Sequence, residues 1–222
     1  TNLTDMSSSK ATPFRKWIIS TAVISSTAYV YKPIIEYLST HNEHKWTIHL
    51  ISFASFYGCT VWVTFISGIV MFKNMKRHDF GRLQSKLFPR YFQFCIGTVA
   101  VCLALDWIAR RNASTLAAST MPNEQMRYFG IMLLVLILNL VVLEPKTTEV
   151  MYKRHVVERR LKTGHEVGQL KPSDPNSAND PQLKELSKQF GMLHGISASL
   201  NLVVFGLGTW HCFWLASKLV IE

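Results

Sequence analysis

Residues 131–143 read IMLLVLILNLVVL, a run in which Asn139 is the only polar side chain. When it begins at Tyr128, this run makes a short span that Arg127 can lengthen by snorkelling. It is one of four apolar segments predicted to cross a membrane as helices, which takes about 17–25 residues. The four segments are residues 49–72, 91–109, 128–143 and 195–215. The sequence therefore predicts an all-α membrane protein built on a bundle of four transmembrane helices.

The composition agrees with this prediction and excludes several other classes of protein. Charged residues make up 17% of the chain, whereas a soluble domain usually carries about 25%. A disordered chain, a collagen-like repeat and a small disulfide scaffold are excluded. The net charge is +10, but the basic residues are concentrated between the apolar runs, which argues against nucleic acid as a partner. The four cysteines lie within apolar runs, and we interpret them as packing residues.

The distribution of basic residues predicts the orientation of the bundle. Residues 73–90 and 144–194 lie on the same side of a four-span topology and contain 15 of the 24 lysines and arginines. The positive-inside rule places these two loops in the cytosol, or in the matrix if the membrane is mitochondrial.

We divide the chain into an N-terminal extension, residues 1–48, and a four-helix membrane domain, residues 49–222. Within the extension, residues 17–31 are apolar but too short to cross a bilayer, which predicts an interfacial helix. A fifth transmembrane span is the alternative, if this helix continues to Leu38.

The long loop before the last span, residues 144–194, is predicted to contain two helices. Residues 146–162 are highly charged with apolar side chains at helical spacing, which predicts an exposed amphipathic helix. The glycines and prolines of residues 163–181 indicate an irregular connection. A second amphipathic helix is predicted to begin near Leu183 and to lead into the last span.

Three polar side chains, those of Ser67, Asn139 and Asn201, are predicted to lie at one depth, about 8–9 Å inside the membrane boundary. A polar side chain at that depth favours a partner on a neighbouring helix. We interpret this polar intramembrane layer as contacts that fix the register of the bundle. The alternative is a site for the polar head of a lipid or a small molecule.

Charged residues at the ends of the spans are predicted to form ion pairs. Glu144 closes the third span and is a candidate partner for His194 or Arg77. Asp106 has Arg110 four residues later, the order that favours an ion pair on a helix. We interpret these pairs as structural, because they neutralise charges close to lipid.

The sequence contains no motif that indicates an enzyme or a bound cofactor. There is no P-loop, GxSxG, HExxH or paired-carboxylate pattern, and no Cys/His metal signature. Of the histidines, only His49 and His211 have the matched depth that a bis-histidine haem requires. We therefore predict no enzyme activity, no cofactor and no metal.

Basic residues in the loop 73–90 alternate with apolar ones at a spacing that predicts a short helix lying in the membrane interface. Anionic lipid headgroups, such as those of cardiolipin, bind such a segment with about 1 kcal/mol per basic residue. An ordinary positive-inside signal is the alternative interpretation. The candidate lipid-binding residues are Arg77, Arg82, Lys86 and Arg90.

Three sequence blocks follow one another along the membrane domain. They are WVTFISGIVMFKNMKRHDFGRLQSKLFPRYF at residues 62–92, LEPKTTEVM at residues 143–151 and HGISASLN at residues 194–201. Together they resemble the transmembrane protein 205 family over residues 49–215. The resemblance implies a four-helix membrane domain without an assigned activity, and it brings no catalytic residue and no defined substrate.

Two features of the sequence bear on the location of the protein. Asp5 is the only acidic residue among the first 35, and hydroxyl and basic residues are frequent there, which resembles part of a mitochondrial presequence. The glycosylation sequons at Asn2 and Asn112 are instead allowed in the secretory pathway. We favour the mitochondrial inner membrane, with the endoplasmic reticulum or another endomembrane as the alternative.

Small residues recur along one face of the last span, at Gly195, Ser199, Gly206 and Thr209. Small side chains let helix backbones approach closely, so this face is predicted to pack on the first span or on a partner subunit. We therefore predict a non-enzymatic accessory or scaffolding subunit of a larger membrane complex, of respiratory type if it is mitochondrial. The alternative is a carrier or binder of lipids or amphipathic small molecules that uses the polar intramembrane layer.

Overall fold

The computed structural model describes residues 31–112, 123–168 and 179–219. Within these ranges four helices are long and apolar enough to cross a membrane, namely Asn42–Asn74, Arg77–Arg111, Glu124–Arg160 and Pro181–Lys218. The predicted fold class, an all-α membrane protein with four spans, is confirmed. In this part of the chain, extended structure is limited to one isolated antiparallel bridge between Lys76 and Val167.

Two of the four long helices contain a π-helical turn near the basic end of the bundle. In a π turn the backbone hydrogen bonds join residues five apart, one more than in an α-helix, which widens the helix. The elements in chain order are α1 (residues 31–40), α2 (Asn42–Val61), a π turn (Trp62–Ser67), α3 (Gly68–Asn74), α4 (Arg77–Asn112), α5 (Asn123–Leu138), a second π turn (Asn139–Leu143), α6 (Glu144–Arg160) and α7 (Pro181–Leu219).

The described residues divide into two compact units, with the boundary between Lys45 and Trp46. In the described part of the first unit, the ring of His41 stacks on the ring of Tyr37, with centroids 4.1 Å apart, and on that of His44 at 5.7 Å. The predicted N-terminal helix, residues 17–31, lies outside the described residues except for Tyr31. The interfacial helix and its alternative, a fifth span, therefore stay predictions.

The core of the second unit lies where the four long helices turn one apolar face towards each other. The opposite faces carry large apolar side chains that remain exposed, such as Leu134 at 69% and Phe213 at 68%. Apolar exposure on this scale suits helices surrounded by lipid. All four cysteines are free, and two of them belong to the core, which agrees with a packing role. The core residues are Phe53, Phe56, Tyr91, Phe92, Cys95, Val99, Cys102, Phe129, Met132, Leu136 and Val204.

The basic segment 77–90 differs from the prediction, because it is the first part of the continuous helix α4 and not a separate interfacial helix. The loop that follows α6 anchors the start of α4. The N–H group of Arg77 donates to the carbonyl oxygen of Glu166 at 2.9 Å. The N–H group of His78 donates to the carbonyl oxygen of Gly164 at 3.1 Å. These bonds hold the segment against the bundle. The spacing of its residues in the sequence had instead suggested a helix that lies flat on the membrane.

Helix α6 corresponds to the predicted amphipathic helix 146–162, but it continues α5 through the second π turn, and one of its faces is buried. The buried side chains are those of Met151, His155, Val157 and Glu158. This face packs against α4 and α7. The prediction placed this helix in solvent because polar residues such as His155 and Glu158 are usually exposed. Their burial depends on partners from other helices, which the sequence does not show. The helix predicted to begin near Leu183 is present as the start of α7.

Candidate functional site

A cavity of about 1040 Å³ lies at the basic end of the bundle, among α3, α4, α6, α7 and the π turn after α2. Its volume lies at the upper end of the roughly 300–1,000 Å³ that is typical of small-molecule sites. The walls are mainly apolar, and aromatic side chains from several helices contribute to them. The aromatic residues are Phe72, Phe80, Phe88, Tyr91, Phe92 and Phe190. Walls of this kind suit the hydrocarbon part of a ligand.

The inner end of the cavity is polar. The hydroxyl group of Tyr91 donates to Oδ1 of Asn201 at 2.8 Å, and Nδ2 of Asn201 donates to Oγ1 of Thr64 at 3.0 Å. All three residues line the cavity. Thr64 belongs to the first π turn, and π-helical turns are frequent at functional sites. The three side chains thus join three helices at the depth where the sequence predicts a polar layer.

The other two residues of the predicted polar layer take different positions. Oγ of Ser197 donates to Oδ1 of Asn139 at 2.6 Å, which joins α7 to the second π turn. Oγ of Ser67 is buried and has no hydrogen-bond partner among the described residues. Of the three predicted layer residues, Asn201 and Asn139 therefore make polar contacts between helices, and the first span supplies Thr64 in place of Ser67.

At the outer end of the cavity, two arginines converge on one buried carboxylate. Nε of Arg77 and Nε of Arg154 each lie 3.3 Å from Oε1 of Glu158, whose side chain is 4% exposed. Nη2 of Arg77 also lies 3.3 Å from Oε2 of Glu166. A buried ion pair that loses one partner leaves an uncompensated charge, so each member of this network holds the others in place.

The boundary residues Glu144, His194 and Arg77 all line the cavity, but they do not pair with each other. Oε1 of Glu144 instead accepts a hydrogen bond from Oγ1 of Thr148 at 2.8 Å. The ring of His194 stacks on the ring of Phe190, with centroids 5.7 Å apart. The structure therefore brings these three residues to one site in separate contacts.

Three of the four candidate lipid-binding residues form an exposed stripe along α4. Arg82, Lys86 and Arg90 are exposed and lie four residues apart, so they share one face of the helix. Arg82 also pairs with Asp79 in the same turn. Arg77 differs from them, because its side chain is buried in the network with Glu158.

A second buried polar cluster lies at the opposite end of the bundle. Nδ1 of His49 is 3.5 Å from Oδ1 of Asp106, and Nε2 of His49 is 3.2 Å from Nε2 of His211. Nδ1 of His211 lies 2.8 Å from Oε1 of Gln125. The sequence paired Asp106 with Arg110, and the structure adds His49 as a close partner. A metal ion between the two histidines, as in a bis-histidine haem, would separate their ligand nitrogens by about 4 Å. The two Nε2 atoms are 3.2 Å apart, so the imidazoles are in direct contact.

Sequence reasoning missed the buried residues that join α4 to α6. His78 lies 80 residues before Glu158 in the chain, and their side chains meet in the structure. Arg154, His155 and Glu158 fall in a segment that the sequence assigns to an exposed helix. The available signal was the spacing of His155 and Glu158, which places both on one face of a helix.

Four membrane-spanning helices around an amphipathic cavity define an integral membrane protein with a candidate ligand site. A family model described as a domain of unknown function, DUF4149, matches residues 51–156. Transmembrane protein 205 of Danio rerio is 31% identical over 185 residues, which cover 78% of this chain and 92% of that protein. The chain therefore belongs to the transmembrane protein 205 family, as the three sequence blocks indicated. No solved structure matches the chain significantly.

Proposed function

We propose that this protein binds one amphipathic molecule, a lipid or a lipid-like small molecule, in the cavity at the basic end of the bundle. The observation that carries the proposal is a cavity of about 1040 Å³ with aromatic walls and polar residues at both ends. Mainly apolar walls with a few placed polar groups are the usual form of a small-molecule site. The proposed role is non-enzymatic, since it requires the ligand to be held or carried and not changed.

Exposed apolar side chains on the cavity wall support entry of the ligand from the bilayer. Ile69 and Leu202 line it, and their side chains are 50% and 49% exposed. Both residues belong to helices that are long and apolar enough to cross a membrane. A hydrocarbon chain therefore enters from the side, without first crossing water, and keeps apolar contacts along the whole path.

The polar group of the ligand is placed at the outer end of the cavity. Arg77 and Arg154 lie there beside Glu158, and guanidinium groups bind carboxylate and phosphate oxygens through charge-assisted hydrogen bonds. Asn201 lies seven residues further along α7 than His194, which is about 10 Å deeper in the membrane. A charged headgroup costs more free energy at that depth than at the boundary, so the inner end suits a small neutral group.

An obstructing side chain tests the proposal. Ala198 lines the cavity, whereas Ala216 is exposed near the far end of the same helix, so Ala198→Trp and Ala216→Trp form a matched pair. We expect a pyrene-labelled phospholipid or fatty acid to bind the purified protein at one saturable site. Binding should weaken at least about tenfold in Ala198→Trp and stay unchanged in Ala216→Trp, with equal thermal midpoints. Equal binding by both variants and the parent protein would remove the basis of the proposal.

An accessory-subunit role is the second candidate, and the last helix supplies the observation that favours it. A side chain at Gly208 would lie 3.0 Å from the ring of Tyr57, so this glycine packs within the bundle. A side chain at Gly195 or Gly206 would meet nothing within 4 Å. The small-residue face therefore has an open part, which suits close approach of a helix from a partner subunit.

Native gel electrophoresis of mild-detergent membrane extracts tests this second candidate. We expect the parent protein to migrate in a complex larger than 25.3 kDa, and Gly206→Leu to shift it to the size of the free chain. Ser217→Leu changes an exposed residue of the same helix and serves as the control. A parent protein that migrates alone would contradict an accessory role.

The mitochondrial inner membrane is the proposed location, supported by the composition of the first 35 residues, with an endomembrane as the alternative. Subcellular fractionation of cells that express the protein tests it. We expect co-purification with inner-membrane markers, and enrichment with endoplasmic reticulum markers would overturn the assignment.

Anionic lipids, including cardiolipin, are the proposed partners of the exposed stripe on α4. The attraction is about 1 kcal/mol for each basic residue near the surface. Native mass spectrometry of the protein from mixed nanodiscs should show fewer bound cardiolipin molecules when the stripe is reversed in charge. An unchanged number would count against this contact. The substitutions are Arg82→Glu, Lys86→Glu and Arg90→Glu.

A further inference from the structure

Three potential metal ligands meet where the start of α4 crosses α6. His155 and Glu158 lie one turn apart on α6, and His78 approaches them from α4. One ligand atom from each of the three lies within 4.8 Å of the other two. Two imidazole nitrogens and one carboxylate oxygen form the ligand set of His₂Glu zinc sites. We propose that His78, His155 and Glu158 bind a divalent transition-metal ion, and that Zn²⁺ is the ion this set fits.

The distances suit an ion of this size after small side-chain rotations. Zinc holds nitrogen and oxygen ligands at about 2.0–2.2 Å, so that tetrahedral ligand atoms lie about 3.4 Å from each other. Nε2 of His78 is 2.8 Å from Oε2 of Glu158. The rings of His78 and His155 have centroids 4.3 Å apart. Insertion of an ion therefore replaces the hydrogen bond between His78 and Glu158 with two coordinate bonds.

Two glycines allow the backbone to hold both imidazole rings in place. A side chain at Gly164, which has a φ of +97°, would lie 2.0 Å from Nε2 of His78. A side chain at Gly81 would lie 2.8 Å from Cε1 of His155. Only glycine permits such an approach at either position. The close backbone therefore limits the orientations that both rings can take, which favours a preformed site for a small ion.

His155 contains a buried polar atom that the protein leaves unsatisfied. The residue is 3% exposed, and its Nε2 has no hydrogen-bond partner in the described part of the chain. Buried polar atoms are normally hydrogen-bonded, and an exception calls for an explanation such as an ion. A metal ion bound by His155 would satisfy this atom without any further protein partner.

The surrounding charges leave one face of the carboxylate available. Arg77 and Arg154 both approach Oε1 of Glu158, at 3.3 Å, while Oε2 faces His78. Glu166 also pairs with Arg77 at 3.3 Å. Two carboxylates thus balance the guanidinium groups of Arg77 and Arg154, and Arg159 adds one further positive charge near His155. The arginines orient the carboxylate as outer-shell partners. His155 and Glu158 line the cavity, so water completes the coordination from that side.

Co²⁺ is the spectroscopic probe for the experiment, since it occupies zinc sites and its visible absorption reports their geometry. The full-length protein, without a histidine tag, is treated with a chelator in detergent and then titrated with Co²⁺ and with Zn²⁺ as competitor. We expect one Co²⁺ per chain, displaced by one Zn²⁺. His155→Gln should weaken binding more than about 100-fold, because loss of even an outer-shell partner costs about 10–100-fold.

His194→Gln is the matched control, since His194 lines the same cavity but lies outside the cluster. It should bind Co²⁺ as the parent protein does. His155→Cys retains a ligand and should bind one Co²⁺ with a new thiolate charge-transfer band, which shows contact with the metal in a folded variant. An identical Co²⁺ spectrum in the parent protein and His155→Gln, or no binding by the parent, would overturn the proposal. No amphipathic ligand is present, so this result is independent of the proposed cavity function.

Discussion

Replacing Asn201 with leucine removes two hydrogen bonds that cross between helices at the inner end of the cavity. Tyr91 donates to Oδ1 of Asn201 at 2.8 Å, and Nδ2 of Asn201 donates to Thr64 at 3.0 Å. Hydrogen bonds between membrane helices average about 0.6 kcal/mol, with a maximum near 1.7 kcal/mol. Two such bonds are worth about 1.2 kcal/mol on average. We therefore expect Asn201→Leu to lower the free energy of unfolding by about 1–2 kcal/mol.

Equilibrium unfolding in mixed micelles with a rising fraction of dodecyl sulfate measures this change. Tyr91→Phe removes one of the two bonds and should cost about half as much. The double variant should cost less than the sum of the two single variants by about 0.6 kcal/mol, the worth of the shared bond.

Ser199→Leu is the control, because Ser199 is exposed on the same helix, and we expect a change within about 0.5 kcal/mol. A change in stability for Asn201→Leu no larger than that for Ser199→Leu would refute this role of Asn201. Strictly additive effects of Asn201→Leu and Tyr91→Phe would refute the shared hydrogen bond.

Three further stability predictions follow from close approaches and buried charge. Gly164→Ala introduces a side chain at a φ of +97° and 2.0 Å from a histidine ring, so it should cost at least about 1–3 kcal/mol, and an unchanged thermal midpoint would contradict this. Gly208→Leu should lower the thermal midpoint of the isolated chain, whereas Gly206→Leu, which meets open space, should leave it unchanged; equal effects would refute the assigned packing. Glu158→Gln should lower the free energy of unfolding by about 3–5 kcal/mol. Glu149→Gln, which breaks an exposed pair, should change stability little, and similar losses in the two variants would argue against a buried network.

The sequence predicts the four spans well because the membrane imposes a simple requirement on them. A helix in lipid satisfies its own backbone hydrogen bonds and needs about 20 apolar residues, and both requirements are visible in a single sequence. The depths of Asn139 and Asn201 also follow from residue counts along the helices. The choice of Thr64 over Ser67 as a partner does not, because a π turn changes which side chains face inwards.

The outer end of the cavity was not predictable in the same way. Glu158 contacts His78 and Arg77, which lie about 80 residues earlier in the chain. Helical periodicity describes which residues of one helix share a face, but it contains no information on what that face contacts. Charged side chains at helical spacing therefore indicate a solvated surface, and only the fold shows that Arg154 and Glu158 are buried together.

Photoaffinity labelling with a diazirine-containing phospholipid tests most directly whether an amphipathic molecule occupies the cavity. The full-length protein in nanodiscs is illuminated, digested and analysed by mass spectrometry. We expect labels concentrated on the cavity-lining parts of α4 and α7, around Tyr91 and Asn201. These labels should decrease with excess unlabelled lipid and be lost in Ala198→Trp. Labels spread over lipid-facing residues such as Leu134 and Phe213, and unaffected by competitor or by Ala198→Trp, would contradict it.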